Sequence, residues 1–369
     1  MHPATAALLQ VWRTPQAAGR LPPSRWSTIL GAARRARCAG HLGVRLAAAG
    51  ALAHLPAPVR EHFESIAVVV AQRRHALRVE IAALERALAP LAGTVLLLKG
   101  AAYERAGLGL AAGRLAGDVD LLVSPDVLAR AEALLEQGGW VAQSLDPYDE
   151  RYYRAWSHEL PPRRDPEREF EVDLHHALTP ALAGEAVDTQ AVLAAAHRDA
   201  SMLLPDAPDL VVHCALHAFK DTELDGRLRE LMDFDLLVRE LGAADPTAFS
   251  AALIARADSL GAPAGRALRW AARYACVWLA TPVGALALPT DPAARRRASR
   301  AWSVPPARAW VMDALVPAAM LPGATQAPSP AQRAARVALT VRYHLGRMPL
   351  RLLLPHLAHK LRRRRLSGS

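Results

Sequence analysis

The sequence predicts an α+β protein, rich in helix, with a small sheet flanked by N- and C-terminal helical regions. Three observations carry that expectation. Hydrophobic residues make up 52% of the chain, mostly Ala and Leu, while aromatics reach only 5%, a balance that suits small-residue helix contacts better than a long β-sandwich. Apolar residues recur with a helical period over 26–93 and again from 185 to about 300. Between them the pattern breaks into short apolar runs, some alternating in twos, separated by glycine turns. The expected units are a helical region over 1–90, an α/β core over 91–180, a helical domain over 181–321, and a linker and tail over 322–369.

Within the first helical stretch, the prolines of 26–93 punctuate about three helices. TVLLLKG (94–100) is a short apolar run ending in glycine and predicts a buried strand meeting a tight turn. AAYERAGLGL predicts a short helix with glycine near its end. DVDLLV (118–123) is the second strand. Ser124-Pro125-Asp126 then predicts a helix start, with Ser124 as N-cap and Pro125 at the first helical position. A third strand is expected over 140–145, followed by a Pro-, Arg- and acid-rich active-site loop or hairpin over 146–169. FEVDLHHAL (170–178) alternates strictly over its first six residues, as a strand does. PGATQAPSP (322–330) reads as a linker by composition.

The formal net charge is +10, and its position decides its meaning. From Arg333 onward the chain carries ten Lys and Arg and no acid, so the remaining 35 basic residues balance the 35 acidic ones. The excess belongs to the tail. Over 333–365 that tail is amphipathic, with leucines interleaved among arginines, which favours weak contact with an anionic membrane or a partner surface. Nucleic acid is less favoured, since Tyr343 is the tail's one aromatic for base stacking. Three scattered cysteines without a CxxC pair point to reduced thiols and a cytoplasmic protein, peripheral at most to the inner membrane surface. The apolar stretch 277–289 is broken by proline and falls short of the roughly 20 residues a membrane span needs.

The acids of DVDLLV set the chemical question, because aspartate is depleted in strands and an unpaired buried carboxylate is costly. Alternate strand residues share a face, so Asp118 and Asp120 point the same way with Cα atoms about 6.6 Å apart. In FEVDLHH the same parity separates Glu171, Asp173 and His175 from Phe170, Val172 and Leu174. A neighbouring strand could bring Asp173, or Glu171 in its place, to join Asp118 and Asp120 around a pair of hard cations about 4 Å apart. Such a set suits phosphoryl or nucleotidyl transfer. Lys99, Gly100 and Arg114 are candidate triphosphate ligands, Gly100 through bare backbone amides.

LLLKGAAYERAG, GRLAGDVDLLVSPDVLARAEALLEQGGW and FEVDLHHAL together resemble the bacterial "uncharacterised nucleotidyltransferase" family of the DNA polymerase β-like superfamily. The likeness runs from about Trp26 to Leu241, and its specific part is 96–178. It implies a mixed-sheet nucleotidyltransferase core, with Asp118, Asp120 and Asp173 as catalytic metal ligands. It also implies two Mg2+ ions, with Mn2+ as substitute, and an NTP substrate. Two positions depart from the pattern: Gly100 is followed by Ala101 where the superfamily has serine, and His176 stands where tryptophan is expected.

The expected activity is transfer of NMP from an NTP to an unidentified acceptor hydroxyl or phosphate, with release of pyrophosphate. The alternatives are a catalytically silent nucleotide- or partner-binding accessory protein and an RNA-modifying enzyme that uses the tail. A second DxD, DFDLLV from Asp233, serves as a control: LRELMDFDLLVREL has helical apolar spacing, which puts its two acids on different faces, with Asp233 able to reach the site. His213, Cys214 and His217 have zinc-compatible spacing but no completing ligand in the sequence, so a helix-packing role is expected. His175 faces the metals if the strand forms, with a hydrogen-bonded structural role as its default. His158, in the loop before FEVD, is a candidate for substrate contact.

Overall fold

The computed structural model describes residues 1–142, 157–180, 186–219, 226–283, 306–323 and 327–347, and positions 146, 150, 151, 153, 154, 224 and 286. The expected strand residues 143–145, much of the loop before 157, and the tail beyond 347 therefore lie outside the described residues.

Four helices lead in: α1 (Pro3–Arg13), α2 (Pro23–Arg35), α3 (Ala39–Ala48) and the long α4 (Ala57–Ala87). Proline occupies the first turn of α1, α2 and α4, where its missing N–H costs nothing. Their inner faces bury Leu8, Trp12, Trp26, Ile29, Leu42 and Leu84. After β1 (Leu96–Leu97) come α5 (Lys99–Arg105), β2 (Asp118–Leu122), α6 (Leu128–Gln137), β3 (Val141–Ala142), β4 (Arg163–Arg164) and β5 (Glu171–His175). α7 (Thr189–Ala195) leads into the hairpin β6 (His197–Asp199) and β7 (Met202–Leu204). The remaining described helices are α8 (Ala207–Phe219), α9 (Leu228–Leu241), α10 (Pro246–Ser259), α11 (Ala262–Leu279), α12 (Pro306–Met320) and α13 (Pro330–Arg347).

The strands form one mixed seven-stranded sheet in the order β3-β4-β5-β2-β1-β7-β6. β2 is central, parallel to β5 and antiparallel to β1. The α+β class is thus observed, with two local corrections. Residues 197–204 are strand where helical periodicity was expected; Ala200 takes a positive φ at the turn, and Leu203 N donates to Val95 O, joining the hairpin to the β1 edge. Ser124 and Pro125 also do not cap the next helix: they make a turn in which Val127 N donates to Ser124 O, and α6 starts three residues later than Pro125, at Leu128. Among the described residues no helix is long and apolar enough to cross a membrane.

The second DxD is helical, as its spacing predicts, and both acids are buried in different networks of α9. Asp233 accepts from His41 Nε2 on α3 at 2.6 Å and from Arg114 Nε at 3.1 Å. Burial pushes its carboxyl up, but Arg114 and His41 outweigh that and hold it near 2. Asp235 accepts from Trp12 Nε1 on α1 at 2.8 Å, Thr281 Oγ1 at 2.6 Å and Arg239 Nε at 2.9 Å. These two side chains tie the first helices, the turn before β2 and the C-terminal helices to one another. Beside them the backbone of Gly113 packs directly on Gly40, a contact that a Cβ on either residue would obstruct.

Replacing Asp235 by Ala removes one partner of a buried charged network and leaves the Trp12, Thr281 and Arg239 donors facing one another. The expected loss is about 3–5 kcal/mol of unfolding free energy, read by denaturant titration, with Asp235→Asn costing less because it keeps an acceptor.

Candidate active site

The parallel register of β2 and β5 sets Asp118 opposite Glu171, Asp120 opposite Asp173 and Leu122 opposite His175. Because the side-chain period of a strand is two, these acids and His175 emerge on one face, while Val119, Leu121, Val172 and Leu174 are fully buried on the other. One ligand oxygen from each of Asp118, Asp120 and Asp173 lies within 4.8 Å of the others. Glu171, the sequence's alternative to Asp173, is instead half exposed, with Arg164 Nη1 at 3.9 Å from its carboxylate.

Asp120 is the deepest of these three acids, 1% exposed. It accepts from the Lys99 ammonium and from His175 Nε2 at 3.0 Å. Burial alone would raise its pKa; the charge of Lys99 and the donors of His175 outweigh burial and hold it well below the usual carboxylate range. Asp173 lies at the opposite extreme. Burial first, then the neighbouring Asp120, Glu159 and Asp118, raise it to about 8, with Lys99 too weak a counterweight. Two carboxylates facing each other across one strand pair therefore differ in protonation near neutrality. A site that must keep a proton to tolerate its own acids is a site short of positive charge, and three carboxylate oxygens at this spacing fit a divalent cation.

Lys99 heads α5 with φ +47°, a left-handed conformation that costs a side-chain-bearing residue on the order of 1 kcal/mol or more. The sequence placed the turn's freedom at Gly100; the positive φ falls on Lys99, and Gly100 is needed for space. A Cβ at Gly100 would run into Arg114 Nη1. Arg114 is 6% exposed, its guanidinium over the Tyr103 ring and bonded to Asp233, so it supports the turn from beneath.

Glu159 was not singled out by the sequence, because its loop carries no motif. A β-bridge pairs it with His175, and its Oε2 lies 3.3 Å from His158 Nε2 and 3.5 Å from His175 Nδ1. His158, the sequence's candidate for substrate contact, thus joins the acidic face. The His213-Cys214-His217 spacing has other uses: Cys214 Sγ donates to Glu230 O, and His217 sits against Arg227.

Beside Asp118 opens a cleft of about 560 Å³ whose walls carry Arg37, Arg227, Arg229 and Arg336, with His217 and Glu230 among them. Arg336 comes from α13, part of the basic tail. The arginines gather from positions about 300 residues apart, which is why no local pattern announced them.

The two protonation levels make a stability prediction for the metal-free protein. Unfolded, Asp173 titrates near 3.9; folded, it titrates near 8. Between those values the folded state holds a proton that the unfolded state has released, so this group lowers stability as pH rises from about 4 to about 8. Asp173→Asn is neutral throughout and should exceed the parent by about 2–4 kcal/mol above pH 8 in chelator, with the gap closing toward pH 4. Thermal or denaturant unfolding of both proteins across that range checks it.

No curated protein and no solved structure matches the chain. A family model does, over residues 22–280, which takes in α2 to α11 and the whole seven-stranded sheet. The chain with this acidic sheet face belongs to the family of uncharacterised nucleotidyltransferases.

Proposed function

We propose that the protein is an Mg2+-dependent nucleotidyltransferase that moves NMP from an NTP to an acceptor hydroxyl or phosphate and releases pyrophosphate. The observation that carries this reading is the convergence of Asp118, Asp120 and Asp173 within 4.8 Å on one face of a central strand pair, in a chain of this family. Asp118 and Asp120 would hold both ions, and Asp173 the one nearer the acceptor. Bound there, Mg2+ or Mn2+ neutralises phosphate oxygens and acidifies an incoming hydroxyl.

The protein's own groups account for the rest. Lys99 rests on Asp120, so it can turn to a phosphate when Asp120 engages a cation. Gly100 yields the place of its side chain to Arg114 Nη1, which keeps the turn in place, and the backbone amides of that turn would meet the triphosphate. Asp173, which keeps a proton near neutrality in the metal-free protein, would give it up on binding a cation and then help activate the acceptor hydroxyl as an ionised ligand. The arginine-lined cleft next to Asp118 suits an anionic group, either on the acceptor or on the departing pyrophosphate. The described part of the tail thereby serves the site through Arg336.

Asp118→Ala and Asp120→Ala should each abolish metal-dependent pyrophosphate release, by about 10³-fold or more, with circular dichroism unchanged. The assay is purified protein with labelled NTPs and cell extract, which also shows which molecule acquires the label. Full activity in both variants rejects the assignment.

A further inference from the structure

We propose that His158, Glu159 and His175 form a second cation site, distinct from the three aspartates, that takes a divalent transition-metal ion of the Zn2+ type. The donor set is two imidazoles and one carboxylate. Imidazole suits Zn2+ and its neighbours, whereas Mg2+ prefers oxygen alone, so this corner and the aspartate face select different ions.

The backbone builds the corner before any ion arrives. Leu160 N donates to Leu174 O at 2.9 Å, and His176 N donates to His158 O at 3.0 Å, so 158–160 is laid antiparallel along the end of β5. That pairing sets Glu159 directly across from His175. Glu159 Oε2 then stands 3.3 Å from His158 Nε2 and 3.5 Å from His175 Nδ1, and the three donor atoms all fall within 4.8 Å. A tetrahedral ion with ligands about 2.0–2.1 Å away holds them roughly 3.3–3.4 Å apart, so two of the three edges are already near that length.

Hydrogen-bond geometry favours the same assignment. His175 Nε2 faces the Asp120 carboxylate at 3.0 Å, while Nδ1 of the same ring faces Glu159 at 3.5 Å, so the two nitrogens address different partners. A carboxylate that holds the far nitrogen of a histidine is the usual support of a metal-bound imidazole, since it fixes both tautomer and ring orientation. Both histidines are buried, at 7% and 2% exposure, while the Glu159 side chain is 31% exposed. Solvent therefore reaches the corner from the Glu159 side, where a fourth ligand can enter. His175 then has two tasks, as metal ligand on one nitrogen and as the donor that orients catalytic Asp120 on the other.

Cobalt provides a test independent of turnover. Metal-stripped full-length protein is titrated with Co2+ in excess Mg2+, and the visible bands of low-coordinate cobalt are followed. The expected result is a stoichiometric set of bands that is lost in His158→Gln and in Glu159→Gln and retained in Asp118→Asn. Glu159 is partly exposed, so its amide variant tests the site without threatening the fold. The proposal is overturned if the parent shows no such bands, as a purely hydrogen-bonded His175 would give. It is equally overturned if the bands persist in both corner variants, or if they depend on Asp118, which would place cobalt on the aspartates. Asp118→Asn separates this site from the transfer reaction, because it removes Mg2+-dependent pyrophosphate release and leaves the cobalt spectrum.

Discussion

The parallel pairing of β2 with β5 is the constraint on which the site depends. It forces Asp118, Asp120 and Asp173 to one side of the sheet, with a fully apolar layer behind them. Like charges so placed repel strongly in a poorly solvated setting. The protein answers with three devices: the ammonium of Lys99, the imidazole of His175, and a proton retained on Asp173. Each is exchangeable for cationic charge from outside. Lys99 is the most telling, since it occupies a left-handed backbone position to head α5, and from there its side chain reaches Asp120.

The same dipeptide spacing occurs twice with opposite results. In β2 a separation of two residues returns a side chain to the same face, so Asp118 and Asp120 converge. In α9 it turns the side chain by about 200°, so Asp233 and Asp235 diverge into separate networks. There each acid is fully matched by donors: Asp233 by Arg114 and His41, Asp235 by Trp12, Thr281 and Arg239. Asp120 has donors of its own in Lys99 and His175, so what sets the first DxD apart is that its secondary structure crowds both acids and Asp173 onto one face.

What was legible in the sequence was local. Strand parity placed Asp118, Asp120 and Asp173 on one face, and helical spacing identified the second DxD as α9, because both follow from the backbone period alone. What was not legible depends on partners distant in the chain. Nothing near Asp233 names His41, 192 residues away, and nothing near Asp235 names Trp12, 223 residues away. Glu159 enters the acidic corner only because its loop pairs with β5. The hairpin at 197–204 was hidden by its shortness: strands of three residues show too little alternation to stand out from helical surroundings.

Arg114 shows how β2 and the helical frame are joined. Its chain leaves the turn just before β2, its Nη1 fills the space over Gly100, and its Nε holds Asp233 of α9. Any shift of α9 relative to the sheet must therefore move the guanidinium and with it the turn that carries Lys99. Lys99 in turn sets the charge balance on Asp120. The path from α9 to the acidic face runs through buried, charge-assisted contacts, which resist stretching more than exposed ones do. The arginine cleft draws Arg227, Arg229 and Glu230 from the same start of α9. The arginine cleft and the acidic face thus lie at two ends of one connected set of side chains, so the helical frame holds both in one arrangement.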